Sequence, residues 1–211
     1  MAGYANRLLV DVSTVTCEAS SWQQYMSDSN NKPSSKKLAK LVIPSPLGPL
    51  LAFASERGIR AIVFSDSDPS RNGVRGDIVS ASPGMSETET LVALAEQLAE
   101  YFGGKRTLFK VPLDPVGTDF QLLAWEELRK IPFGKTRTYA EQAAAIGNAS
   151  AVRAVGTANG RNPLTIVVPC HRVIGADGTL TGFAGGIDRK RALLKLEGVK
   201  VDEAELPFAK G

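Results

Sequence analysis

Histidine, cysteine and long apolar runs are what this sequence has least of. Its 211 residues hold one histidine, His171, and two cysteines, Cys17 and Cys170, which lie far apart in the chain. Such a set cannot supply the clustered Cys and His ligands of a structural zinc site, so no metal is expected. Two distant cysteines allow one disulfide at most, and a reduced, intracellular setting is the expectation. No apolar run approaches the roughly 18 residues that a membrane-spanning helix needs. The opening MAGYANRLLVDVSTVTCEA lacks a charged region followed by a continuous apolar one, so it does not read as a secretion signal. An excess of one charge is missing too. Lys and Arg number 25 against 22 Asp and Glu, a net +3, too little to announce nucleic-acid binding by itself.

What is present begins with a polar lead. Residues 20–37, SSWQQYMSDSNNKPSSKK, are dense in Ser, Asn and Lys, a composition that cannot offset its ordering entropy by burial, so residues 1–38 are expected to form a disordered tail. Residues 50–55 and 59–64 are short apolar runs on either side of Glu56-Arg57-Gly58, which predicts a β-hairpin with glycine in its turn. Residues 66–83 are again rich in Ser, Asp and Gly. Ser86-Glu87-Thr88-Glu89 then has the form of a capping box ahead of Leu91, Leu94, Leu98 and Tyr101 at helical spacing. That helix should stop at Gly103-Gly104. Residues 108–113 are a candidate strand before Asp114-Pro115, where a boundary is expected.

Beyond that boundary the signals turn helical. Thr118-Asp119-Phe120-Gln121 is a second capping box, followed by Phe120, Ala124, Leu128 and Ile131 along one face with Trp125 beside them. Pro132 and Gly134 end this helix. Thr138-Tyr139-Ala140-Glu141 is a third capping box and opens a short alanine-rich helix that Gly147 terminates. A further helix is predicted over 149–158. Two short helices joined at Gly147-Asn148-Ala149 have the form of a helix-turn-helix, or of an ordinary αα-hairpin in a core. The second helix carries Ala151, Ala154, Gly156 and Ala158 around a single Arg153. It is too bare to read a wide major groove and slim enough for a narrow minor one.

Residues 164–168, LTIVV, predict a buried strand that Pro169 must end or bend. On a straight strand Cys170 and His171 would point to opposite faces, and the bend lets them cooperate. A thiol becomes a strong nucleophile when a neighbouring base, usually an imidazole oriented by a carboxylate, draws off its proton. Glu197, near the end of a helix predicted over 188–197, is the candidate carboxylate, with Asp177 and Asp188 as alternatives. The same Cys-His pair also reads as a small buried hydrophobe beside a hydrogen-bonded core histidine. A thiol protease or acyltransferase is a third reading, but no oxyanion-hole motif is evident.

Pro169-Cys170-His171-Arg172-Val173 resembles the PCHRV signature of the O6-alkylguanine-DNA alkyltransferases. The similarity extends from Gly117 to about Gly198. It runs through Phe120 to Trp125, Ile131-Pro132-Phe133-Gly134, Thr138-Tyr139, Ala151-Val152-Arg153-Ala154-Val155-Gly156, Asn159-Gly160-Arg161-Asn162-Pro163 and Gly182-Phe183-Ala184-Gly185-Gly186. The segment SPLGPLLAFASERGIRAIVF is similar to the family's N-terminal half, and Asp66-Ser67-Asp68 to the adaptive-response branch.

The resemblance implies an α/β chain with a small RNase H-like domain over 39–115, a mainly helical, winged-helix-like domain over 116–200 and a tail over 201–211. It also implies single-use transfer of an alkyl group from O6-alkylguanine in double-stranded DNA to Cys170, with O4-alkylthymine as a second candidate lesion. His171 would be the base, acting through a bridging water and supported by Glu197. Asn162 would hold the turn, and Tyr139 would assist the leaving guanine. Arg153 would replace the extruded nucleotide. Asn148, Ala151, Ala154, Gly156 and Arg161, with Lys135 or Arg137 as further phosphate contacts, would meet DNA. Val173, Phe183 and Ala184 would line the base pocket. Family members often carry Pro and a basic residue where this chain has Ala149 and Ser150, Tyr where it has Phe183, and a polar residue where it has Ala184. The implied protein is a cofactor-free monomer of a bacterial cytoplasm, or of a nucleus if the chain is eukaryotic.

Overall fold

The hairpin predicted around Glu56-Arg57-Gly58 is the middle of a four-stranded sheet in the computed structural model, which describes residues 37–201. The rest of the two expected tails, Cys17 included, lies outside the described residues. Strands β2 (Leu50–Ser55) and β3 (Gly58–Phe64) pair antiparallel in the register Leu50↔Phe64 to Ser55↔Gly58. Gly58 opens β3 at φ 148°, where a Cβ would lie 2.6 Å from the backbone of Pro112, so no larger residue fits.

Two strands differ from the sequence reading. β1 (Lys37–Ile43) starts inside the expected tail, pairing antiparallel with β2, and Leu38 is fully buried. β4 (Asp77–Ser80) lies in the Ser/Asp/Gly-rich segment and pairs parallel with β1, giving the order β3-β2-β1-β4. Its residues are mostly exposed, so pairing, not burial, makes it a strand. Leu38, Phe53, Ala61, Val63 and Val74 form a core cluster of this sheet.

Helix α1 (Ser86–Phe102) packs across β1, β2 and β3 with Leu91, Leu94, Leu98 and Tyr101 buried. It stops at Gly103, and Gly104 follows at φ 70°. Its expected capping box does not form. Met85 holds the N-cap position, Ser86 is one residue inside the helix, and its hydroxyl bonds Glu87 instead. Residues 108–113 are not a strand either. They make one bridge to the sheet, with Ile59 N–H donating to Pro112 O (2.9 Å) and Asp114 N–H to Ile59 O (2.8 Å). Below them Asp114 is fully buried against Arg60 and the Ser55 hydroxyl.

The helical part contains α2 (Asp119–Arg129), α3 (Tyr139–Ala145), α4 (Val152–Gly160) and α5 (Ile187–Leu196). Both capping boxes read here are formed, Thr118 with Gln121 and Thr138 with Glu141. Helix α4 begins and ends later than predicted. Val155, Ala158 and Asn159 face inward at helical spacing, so Ala158 is core and not part of the exposed face as the sequence suggested. Its carbonyl accepts from Trp125 Nε1 (2.9 Å), while Gln142 and Asn159 bond each other beneath α3. A two-residue parallel pair, β5 (Arg137–Thr138) with β6 (Val173–Ile174), joins this part together.

Residues 164–168 are buried but do not form the predicted strand. Leu164 makes a single bridge to Ile62 at the sheet edge, after which Ile166 takes φ 73°. A β-branched residue in that region is strained. The chain tightens on itself instead, with Val168 N–H donating to Leu164 O (2.8 Å) and Cys170 N–H to Val168 O (2.9 Å). Ile62 N–H to Pro163 O (2.7 Å) and Thr165 N–H to Ile62 O (3.2 Å) anchor this loop to β3. Among the described residues no helix is long and apolar enough to cross a membrane.

Candidate active site

The loop anchored on β3 leads through Pro169 into a 3-10 turn, Cys170–Arg172. Successive side chains on such a turn are about 120° apart, not opposed as on a strand, which is what a cooperating Cys-His pair requires. Cys170 is buried. Its Sγ accepts a hydrogen bond from Asn162 Nδ2 (3.1 Å), which also donates to Val168 O (2.7 Å), while Asn162 Oδ1 accepts from Leu164 N–H (3.0 Å). One amide therefore closes the loop and fixes the sulfur. Burial pushes the Cys170 thiol up, against the opposing influence of the Asn162 bond and the nearby Lys190 charge, so the resting group is a thiol.

His171 is fully buried, and its Nε2 lies 2.8 Å from Glu197 Oε1. An ionised carboxylate accepts only, so Nε2 carries the proton and Nδ1 is the basic nitrogen. Among the described residues Nδ1 has no hydrogen-bond partner. Burial, helped by the Arg172 and Lys190 charges, lowers the His171 pKa against the opposing pull of Glu197, which keeps the ring neutral. Glu197 itself is gripped from several sides. Arg172 donates through Nε (2.8 Å) and Nη2 (2.9 Å), Tyr101 through its hydroxyl (2.8 Å) and Gly134 through its N–H (3.2 Å). Burial alone would raise this carboxyl, but the His171 and Arg172 bonds outweigh it and bring its pKa to about 2. Gly134, at φ 71°, has no room for a Cβ, which would fall 2.8 Å from Glu197 O.

The alternative carboxylates are elsewhere. Asp177 turns to Thr179, and Asp188 pairs with Arg191. Three further residues escaped the sequence reading. Arg172 and Tyr101 hold Glu197, and Arg172 also donates to Ile131 O (2.6 Å). Lys190 is fully buried, its Nζ donating to Val173 O and Thr181 O at 2.5 Å each, and burial lowers its pKa to about 8. A signal for Lys190 was present: it lies three and four residues before the buried Leu193 and Leu194, on the inward stripe of α5.

Tyr139 begins α3, half-buried between α4 and the 181–182 loop. Its hydroxyl donates to Thr181 O (3.0 Å), and its ring lies 3.8 Å from where a Cβ on Gly156 would stand. Burial raises its phenol, so it stays protonated. Val173 and Phe183 are buried, and the Phe183 ring stands edge-on to both His171 and Phe64 at 6.5 Å. The Val173 carbonyl already accepts from Lys190, leaving one lone pair for another donor. Ala184, Arg153, Ala154, Asn148, Lys135 and Arg161 are exposed, and Ala151 and Gly156 are half-buried. Arg137 is not a free cation, since it pairs with Glu127 at 3.2 Å.

Residues 119–199 match the DNA-binding domain of 6-O-methylguanine DNA methyltransferase, and residues 38–115 match its ribonuclease-like domain. A methylated-DNA–protein-cysteine methyltransferase of Methanosarcina barkeri is 46% identical over 156 residues, covering 74% of this chain and 94% of that protein. One of Mycobacterium bovis is 61% identical over 102 residues, 48% of this chain and 62% of that protein. The crystal structure of Mycobacterium tuberculosis OGT in complex with DNA aligns with a TM-score of 0.66 at 42% identity, covering 76% of this chain and 92% of that one. With both of its domains matched in order and a relative matched over nearly its full length, this chain belongs to the 6-O-methylguanine DNA methyltransferase family.

Proposed function

We propose that the protein repairs O6-alkylguanine in DNA by moving the alkyl group, once, to Cys170. The observation that carries this reading is a single turn that presents a buried thiol held by Asn162 beside a neutral histidine held by an ionised Glu197. The thiol proton passes through a bridging water to His171 Nδ1 while sulfur attacks the alkyl carbon and the bond from that carbon to O6 breaks. Glu197 stabilises the imidazolium that forms, and Arg172, Tyr101 and Gly134 hold the carboxylate in place. Guanine leaves as an anion and takes a proton back, with the Tyr139 hydroxyl, freed from Thr181, assisting at the ring. The balance is a thiol plus an alkylated guanine in, a thioether plus a guanine out, and it calls for no cofactor. Among the described residues no group is placed to cleave a thioether, so each molecule acts once.

O6 is engaged in base pairing, and the nucleotide must rotate out of the duplex at a cost of a few kcal/mol. Arg153 stands in its place, and Ala151, Ala154 and Gly156 let α4 approach the minor groove closely, flanked by Asn148 and Arg161. Phe183 and the backbones of Val173 and Ala184 line the base pocket. O4-alkylthymine is the second lesion we assign to the same pocket. We place the protein, as a monomer, in a bacterial cytoplasm. Mixed with excess O6-methylguanine duplex, it restores guanine until one equivalent per protein is reached, and continued turnover would contradict this reading.

A further inference from the structure

A cleft of about 570 Å³ opens between the 3-10 turn Pro69–Asn72 of the sheet part, the start of α2 and the end of α4. Arg71, Arg75 and Arg161 line it together with Asn72, Gln121 and Trp125, and among the described residues no Asp or Glu does. All three arginines are exposed. Among the described residues the side chains of Arg75 and Arg161 have no hydrogen-bond or ion-pair partner, and the Arg71 guanidinium acts only at a distance on Asp68. Three guanidinium groups around one cleft whose lining holds no carboxylate repel one another, and a bound anion relieves that repulsion. The guanidinium fork matches phosphate oxygens in particular.

The position of the cleft identifies the phosphate. Arg161 follows α4 and lies eight residues beyond Arg153, about 12 Å along the helix axis at about 1.5 Å per residue. The minor groove is only about 6 Å wide. With Arg153 in the groove, the end of α4 therefore stands over a sugar–phosphate strand. The cleft also connects to the site, since Asn72 Nδ2 donates to Asn162 O (3.0 Å) and the Asn162 side chain holds Cys170.

We propose that this cleft clamps a backbone phosphate flanking the lesion, so that the sheet part of the molecule, through Arg71 and Arg75, contacts DNA alongside the helix-turn-helix. This rests on the DNA-repair reading above. The test uses the full chain with Arg71→Ala and Arg75→Ala combined, and an equal-charge control, Lys40→Ala with Lys105→Ala, outside the cleft. Binding of undamaged duplex is followed by anisotropy across a NaCl series, and alkyl transfer from O6-methylguanine duplex and from the free O6-methylguanine base is timed in parallel.

The cleft variant should bind about tenfold more weakly, with a salt slope shallower by roughly one to two. The control should keep the parental slope, and the free base, which has no phosphate, should react at the parental rate. An Arg75→Glu variant should weaken binding further. A parental slope in the cleft variant, or an equal loss in the control, overturns the proposal. If the parent transfers no alkyl group at all, the repair reading fails, while the salt slope still reports on the cleft.

Discussion

The turn at Cys170 and the exposed face of α4 are built by opposite rules. At the turn the ionisable groups are buried and almost every polar atom is bonded within the protein: Glu197 alone receives His171, Arg172, Tyr101 and Gly134. On α4 the exposed positions are small, and the one long cation, Arg153, makes no side-chain bond among the described residues. A reacting centre benefits from donors and charges fixed before the reaction in a low-dielectric setting. A surface that must enter a groove is better left uncommitted, because each internal bond would have to be broken on docking. The contrast says that chemistry and recognition have separate requirements here, and substitutions should separate them.

The largest effect should come at the turn. Cys170→Ala removes the acceptor, so transfer from O6-methylguanine duplex should be lost entirely while anisotropy still reports binding of undamaged duplex. Next is Glu197→Gln, which keeps the shape but removes the charge that supports a protonated His171. Single-turnover transfer should slow by roughly 10²–10⁴-fold. Leaving Arg172 buried without its counter-charge should also cost about 3–5 kcal/mol in urea unfolding. Parental values in both measurements would remove Glu197 from the relay.

Arg153→Ala should divide the two regions cleanly. Transfer from duplex should fall about 10–100-fold, the scale of a few kcal/mol of nucleotide extrusion, whereas transfer from a single-stranded oligonucleotide should change little. Equal slowing on both substrates would mean that Arg153 supports the turn and not the duplex. The smallest effect concerns pH. Burial holds the His171 pKa below 6.5, so the ring remains an unprotonated base as pH falls through 6.5, and the single-turnover rate should hold there before it declines. Stability has the opposite sign for the same residue: the unfolded chain gains a proton below 6.5 that the fold refuses, so unfolding becomes easier. Glu197, with a pKa of about 2 against the usual 4.5, contributes stability that is complete above 4.5 and disappears as pH falls through about 2. A rate that drops in step with an ordinary imidazole titration would contradict the buried, neutral base.

Much of the fold was legible because local signals agreed with the final packing. Glu56-Arg57-Gly58 lies where β2 turns into β3, and Thr118 and Thr138 cap the helices they announce. What was missed depends on distant partners. β4 is four residues with little apolar content, made a strand by pairing with β1. The run 164–168 is β-branched and buried, as a strand would be, yet its bonds go to the sheet edge at Ile62 and back along itself, with Ile166 forced to φ 73°. At the candidate site, Cys170 and His171 stood out by rarity. Tyr101 and Arg172 did not, because their shared partner Glu197 is 96 and 25 residues away in the chain. Lys190 shares the apolar stripe of Leu193 and Leu194, but its carbonyl partners, Val173 and Thr181, lie on other segments of the chain.

The most direct test of the account is peptide mass spectrometry after equimolar protein and an O6-methylguanine duplex have been mixed, with Cys170→Ala as control. One methylene gained on the peptide that carries Cys170, in step with the guanine restored and absent in the control, is the predicted result. Repair of the duplex with an unmodified Cys170 peptide, or with the methylene on another residue, would contradict it.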